Sequence, residues 1–295
     1  MTRRPPRMLT LIACCAAASV AGGQRGPVLK VLAARAAAPD VGVKIFVPTG
    51  SVRLIAWDRD SIVVRGNVAP SGHFFFMRGE TNTSYKLGVE TRAADGPQSP
   101  SEIVIDVPRR AEVSVKTVDA TITGEGVGGW FYTVSGAIRL SGDAEHVDAE
   151  SIRGDVDLDV TSMLVKARTG RGHVSVRGSP EDVDASTITG PLDVTSPSIQ
   201  RGRFSSVTGN VRYAANPAAG SVFDFSDHAG TVEVHLPRSA SSRLDLSTVT
   251  GAIQNTLSQV RPASASDQTL TVRLGAGQAH MVVRTFKGAI RLLPR

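Results

Sequence analysis

Along most of this chain apolar and polar residues alternate in short runs, and the runs come in pairs joined by a Ser or Thr and a Gly. About Gly154, Val147 and Ala149 lead in at every second position, Ser151 and Ile152 fill the corner, and Val156, Leu158 and Val160 resume the alternation. The same offsets recur about Gly136, Gly172, Gly190, Gly209, Gly230, Gly251 and Gly288, and a degenerate earlier copy has Ala120 in the glycine place. A period of two puts the apolar side chains of each run on one face of a strand, and the glycine allows a positive φ or a close backbone approach at the bend. The first six intervals between glycines are 18, 18, 18, 19, 21 and 21 residues. A repeat of that length is one coil of a β-solenoid: one coil cannot bury its apolar row alone, whereas stacked copies bury a continuous column. An antiparallel sandwich also yields short alternating strands, but hairpin proteins rarely keep one spacing three times running.

The fold expected is therefore all-β, a parallel β-solenoid (β-helix-like) with coils of about 18–21 residues over 112–295. Residues 41–111 are more irregular. Strand-like runs at 43–47, 51–57, 61–68, 73–77, 85–90 and 103–107 are separated by the turn residues Pro48-Thr49-Gly50, Ala69-Pro70-Ser71-Gly72 and Asp95-Gly96-Pro97. They predict an irregular N-terminal β cap on the same body. The cluster Phe74-Phe75-Phe76-Met77 cannot bury every side chain on one strand face and is expected to cover the open end of the column.

Charge supports the stacking. Six residues before each glycine stand Asp148, Lys166, Asp184, Arg203, Asp224 and Asp245, and three residues after it stand Arg139, Asp157, Ser175, Asp193, Arg212 and Glu233. Equivalent positions of adjacent parallel strands lie about 4.8 Å apart, so opposite charges there pair and fix the register. Each exposed pair contributes only about 0.2–1 kcal/mol.

The first 21 residues read as a signal peptide: Arg3, Arg4 and Arg7, an apolar stretch from Met8 to Ala18, then Ser19-Val20-Ala21 as a cleavage site before Gly22. An apolar run of 11 residues is too short to span a bilayer. Leu11-Ile12-Ala13-Cys14 also fits a lipobox, which would leave a lipidated Cys14 and membrane contact through it. Cleavage after Ala21 removes both cysteines, Cys14 and Cys15, and lowers the formal net charge from +6 to +3. Residues 22–40 are Ala- and Gly-rich, a flexible leader with room for a short helix over 28–38. The protein is expected to be exported, to the periplasm or cell surface, with no transmembrane helix. Basic residues interleaved with aromatics are lacking, so nucleic acid is not an expected partner.

Parallel β-helices also carry polysaccharide lyases and hydrolases. Asp155, Asp157 and Asp159 alternate on one strand and point outwards together, with His173 beside Asp155 and Asp193 two coils beyond Asp157. Such carboxylates could serve general acid/base chemistry on a glycosidic bond, or hold Ca2+. Against this, Arg139 is positioned to pair with Asp157. The six histidines form no spaced ligand set, no G-x-S-x-G elbow is present, and Gly126, Gly128 and Gly129 ahead of Trp130 are followed by no helix pattern that a phosphate loop requires. No residue is therefore assigned as catalytic, cofactor-binding or metal-ligating.

Three segments, Thr133-Val-Ser-Gly-Ala-Ile-Arg-Leu140, Ser206-Val-Thr-Gly-Asn-Val-Arg-Tyr213 and Thr285-Phe-Lys-Gly-Ala-Ile-Arg-Leu292, resemble the recurrent motif of a bacterial β-strand-repeat family of unknown function called putative adhesin. Ile103-Val-Ile-Asp-Val-Pro108 and Val232-Glu-Val-His-Leu-Pro237 are like its strand-then-Pro step, and Gly50-Ser-Val-Arg-Leu-Ile-Ala-Trp-Asp58 is like its opening. The resemblance covers most of 41–295. It implies a solenoid-like, exported, non-enzymatic protein and supplies no catalytic residues. The expected function is an adhesin-like scaffold or binding surface of the cell envelope, facing an envelope polymer or protein. The alternative is a carbohydrate-active β-helix enzyme using the outward carboxylates.

Overall fold

The computed structural model describes residues 30–79, 83–91, 99–260 and 268–295. The signal peptide, the start of the leader and the Asp95-Gly96-Pro97 turn lie outside these residues. The described chain is all-β, and parallel ladders carry the repeat. Val147 pairs with Val165 and Val165 with Val183, while Val156 pairs with Val174 and Val174 with Leu192, each step advancing 18 residues. The strands Glu112–Glu125 and Val156–Thr169 run through a bend, so their halves have different neighbours. With Gly128–Thr133, Ile138–Asp143 and His146–Ser151 they close a five-stranded parallel barrel at the core.

The core lies where the alternation places it. Val147, Ala149, Val156, Leu158, Val174, Val176 and Leu192 are buried to within 1 %. The wider spacing about Gly209 and Gly230 has a packing reason: these repeats enclose Phe204, Tyr213, Phe223 and Phe225, all fully buried with ring centroids 5.0–6.5 Å apart. The repeats about Gly154, Gly172 and Gly190 hold Val, Ala and Leu at these places, while the repeat about Gly136 buries the single ring of Phe131 opposite Ala149.

The glycines act by close approach. None of the eight has a positive φ. A Cβ on Gly154 would stand 2.0 Å from the Gly136 carbonyl oxygen, and one on Gly172 would stand 2.1 Å from that of Gly154. Three residues earlier a buried hydroxyl holds each bend: Ser151 Oγ accepts from Gly154 N at 2.8 Å and donates to Gly136 O at 3.0 Å, and Thr169 repeats both contacts at 3.1 and 2.9 Å. The residue after that hydroxyl turns outwards. Ile152, Ile188, Val207, Val249 and Phe286 are 41–55 % exposed, so they form a ridge along the edge and do not fill the corner.

Spatial order departs from chain order at one end. Ala279–Thr285 inserts between Val222–Asp227 and Ser242–Thr248, and Ile290–Pro294 pairs with both Val232–Leu236 and Ile253–Asn255. The repeat about Gly288 thus sits inside the one about Gly251. Thr269–Leu274 runs antiparallel on Ser242–Thr248 and covers that end.

At the other end Gly42–Trp57 pairs in parallel with Glu112–Glu125, and Ser84–Thr91 and Ser101–Pro108 lie beyond its two halves. Antiparallel strands cover these: Gly72–Arg78 on Ser84–Thr91, Ser61–Asn67 on Ser101–Pro108, and Lys30–Ala36 on Ser61–Asn67. Lys30–Ala36 is therefore a strand, where the sequence pattern suggested a flexible leader or a short helix. An isolated short helix is marginal in water, and the open edge of Ser61–Asn67 offers the backbone its hydrogen bonds. Phe74 and Phe76 pack on the core, Phe76 meeting Tyr85 edge-on at 5.4 Å, while Met77 is 50 % exposed.

Candidate functional site

Asp155, Asp157 and Asp159 share one outward face, as their alternation requires, and each has a polar partner. Arg139 stands 3.6 Å from Asp157 and Arg177 3.9 Å from Asp159. Asp155 Oδ1 accepts from the backbone N–H of His173 at 2.9 Å, and His173 Nε2 lies 2.8 Å from Asp193 Oδ2. Asp157 faces Asp193 across Ser175, two ladder steps away. Beside them a shallow cavity of about 540 Å³ is lined by Arg53, Glu125, Arg139, Asp157, Asp159 and Arg177. Cations and carboxylates interleave on its walls. Among the described residues no group of three or more His, Cys, Asp or Glu is placed to hold a metal ion.

The second charge ladder closes diagonally. Position 166 faces 148 and 184 directly. Yet Arg168, two residues along the strand, bridges them, at 3.7 Å from Asp148 and 3.9 Å from Asp184. Further along, Arg284 takes Asp224 diagonally at 2.9 Å, whereas in the other row Arg291 takes Glu233, directly opposite it, at 3.1 Å. The longer guanidinium reaches a diagonal neighbour and accepts two partners at once, which a lysine in the same row does less well.

The pattern reading missed one element of this surface. Gly128–Thr133 is a strand, and Trp130 and Tyr132 lie on its outward side with their rings parallel to within 7° and 5.5 Å apart. Trp130 occupies the row that contains Asp148, Lys166 and Asp184, since it stands six residues before Gly136. That offset was the available signal, hidden because the preceding glycines suggest a loop.

No protein-family model matches the chain, and no curated protein matches its sequence. Comparison with solved structures finds similar chains. A protein called a putative adhesin from Parabacteroides merdae is 9 % identical with a TM-score of 0.52, over 90 % of this chain and 96 % of that one. Another so called, from Bacteroides fragilis, is 12 % identical with a TM-score of 0.47, over 88 % of this chain and 96 % of that one. At such identity the first likeness defines the fold class alone. Among the described residues no helix is long and apolar enough to cross a membrane.

Proposed function

We propose that the chain is an exported β-solenoid, capped at its N-terminal end, that serves as a non-catalytic, adhesin-like scaffold or binding surface in the cell envelope. The observation that carries this reading is the pairing of the outward carboxylates: Arg139 on Asp157, Arg177 on Asp159 and His173 on Asp193 account for them as register devices. The 18-residue register supports the solenoid, because each position meets its own equivalent one repeat away. The extended surface, with shallow hollows, suits a polymer or a protein better than a small substrate. The basic start, short apolar stretch and Ser19-Val20-Ala21 site support export, with removal of 1–21 or, alternatively, lipidation at Cys14. Fold likeness to a protein called a putative adhesin is in keeping with this role.

Protein from the producing cell, incubated with uronic-acid and neutral polysaccharides, is expected to release no new reducing ends, and its intact mass is expected to begin near Gly22. Turnover that vanishes on joint Asp155→Asn and Asp157→Asn substitution would establish the carbohydrate-active enzyme instead. If the surface is a scaffold, that double variant changes stability by about 1 kcal/mol or less.

A further inference from the structure

We infer that Trp130, Tyr132 and the groove beside them form a binding site for a neutral glycan chain. This rests on the binding-surface reading above and names its ligand class.

The outward side of Gly128–Thr133 carries Gly128, Trp130 and Tyr132 in succession. Gly128 packs close under the next strand, where a Cβ would stand 2.9 Å from the His146 carbonyl oxygen. Two residues along the strand from Trp130, Gly128 also lines a groove of about 780 Å³ together with Arg110, Glu112, Glu145, His146 and Glu181. The volume lies within the range of small-ligand sites, about 300–1,000 Å³.

The aromatic pair is held ready. Tyr132 braces Trp130 by stacking, and the Lys116 ammonium lies 6.0 Å from the Tyr132 ring centre. Both rings stand on a strand paired on its two sides, so little side-chain freedom is left to lose on binding. Trp130 is nevertheless 37 % exposed. Its indole N–H and the Tyr132 hydroxyl find no acceptor or donor within the described protein, whereas the Trp57 N–H donates to Ser61 O at 2.8 Å. Glu150, opposite Tyr132 in the ladder, forms no ion pair among the described residues, because Arg168 is drawn to Asp148 and Asp184.

An exposed apolar face bordered by unused donors and acceptors matches a pyranose, whose C–H face is apolar and whose rim is hydroxyl. The groove's charges decide the class. Asp40, Glu112, Asp143, Glu145 and Glu181 outnumber Arg109 and Arg110 on its walls and would repel an acidic polymer, and Arg109 is already bound to Asp58 at 2.9 Å. Carboxylates without a cation accept sugar hydroxyls well, so a neutral chain fits.

Affinity electrophoresis in gels containing dextran, laminarin, galactomannan, glycol chitin or polygalacturonate tests this. At least one neutral polymer is expected to retard the protein. Trp130→Ala should weaken that retardation at least tenfold and Glu150→Gln severalfold, with Trp57→Phe behaving as the parent. Thermal midpoints of the variants within a few degrees of the parent separate lost binding from lost fold, and in a Trp57→Phe background the polymer should shift the Trp130 emission. Retardation by polygalacturonate alone, equal retardation of Trp130→Ala, or no retardation by any neutral polymer overturns the assignment. Release of reducing ends would instead count against the non-catalytic reading.

Discussion

From Thr117 onwards nine repeats bury a residue three places ahead of the bend, and eight of the nine are Ser or Thr. The ninth is Asp227, 4 % exposed, between Ser206 and Thr285 in the ladder. Its Oδ1 takes over the hydroxyl's acceptor role toward Gly230 N. Its Oδ2 is buried without a partner, at the place where Ser151 and Thr169 use an O–H to reach the preceding glycine carbonyl. An ionised carboxyl therefore carries charge that burial penalises. Burial accordingly raises the Asp227 pKa to about 6, against backbone N–H donation from Gly230 and Ala229. The neutral form is the one the fold prefers, so this group favours folding below the ordinary carboxylate range, and that contribution fades as pH rises from about 4 through about 6. Full ionisation costs on the order of 3 kcal/mol. Asp227→Thr is therefore expected to raise the thermal midpoint at pH 8 and to lose most of that advantage at pH 4. An advantage independent of pH would show that shape, not charge, sets the cost.

At the scale of the element, the bend is where the sequence constrains most. A methyl at position 172 would stand 2.1 Å from one carbonyl oxygen and 2.8 Å from the next backbone nitrogen, both on the neighbouring repeat. Neither can move without shifting a ladder. Gly172→Ala is expected to cost about 2–3 kcal/mol and lower the melting midpoint by several degrees in calorimetry, although alanine suits a strand at least as well as glycine in isolation. An unchanged midpoint would mean the repeats are not packed backbone to backbone there. This also explains what was legible. The alternation about each glycine fixed which side chains face inwards, and the strand runs of 43–107 fell close to their observed bounds, except that Pro48-Thr49-Gly50, expected as a turn, lies inside the continuous strand Gly42–Trp57, which bends there without breaking its ladder. The outward turn of Ile152 and its equivalents was not legible, because a residue at a bend breaks the period that assigns faces. Likewise the Trp130 row could be read only by counting from Gly136, since Gly126, Gly128 and Gly129 resemble a loop, although Gly129 lets Gly128–Thr133 lie close on Glu112–Glu125.

For the whole molecule, what decides the arrangement is which repeat meets which. Ladder positions along 112–236 follow chain order because each repeat leaves an open edge for the next. Beyond Gly230 two repeats, about Gly251 and Gly288, carry the same pattern, and spacing alone cannot rank them. The structure places the later one inside: a Cβ on Gly288 would meet Gly230 O at 1.6 Å, and one on Gly251 would meet Gly288 O at 2.0 Å. The last segment thereby gains partners on both sides, while the Gly251 repeat is left to be covered by the antiparallel strand Thr269–Leu274. Antiparallel strands cap the described ladders at both ends, Gly72–Arg78, Ser61–Asn67 and Lys30–Ala36 at one and Thr269–Leu274 at the other.

Disulfide formation between designed cysteine pairs, in a chain with Cys14 and Cys15 replaced by serine, tests this register most directly. Lys166→Cys with Asp184→Cys, and Glu233→Cys with Arg291→Cys, join residues that face each other across parallel strands. Both pairs are expected to oxidise rapidly and nearly completely in the folded protein, while Glu233→Cys with Gln254→Cys, two ladder steps apart, should remain reduced. Ready closure of the 233–254 pair, together with failure of 166–184 or 233–291, would contradict the parallel, intercalated stack on which the account depends.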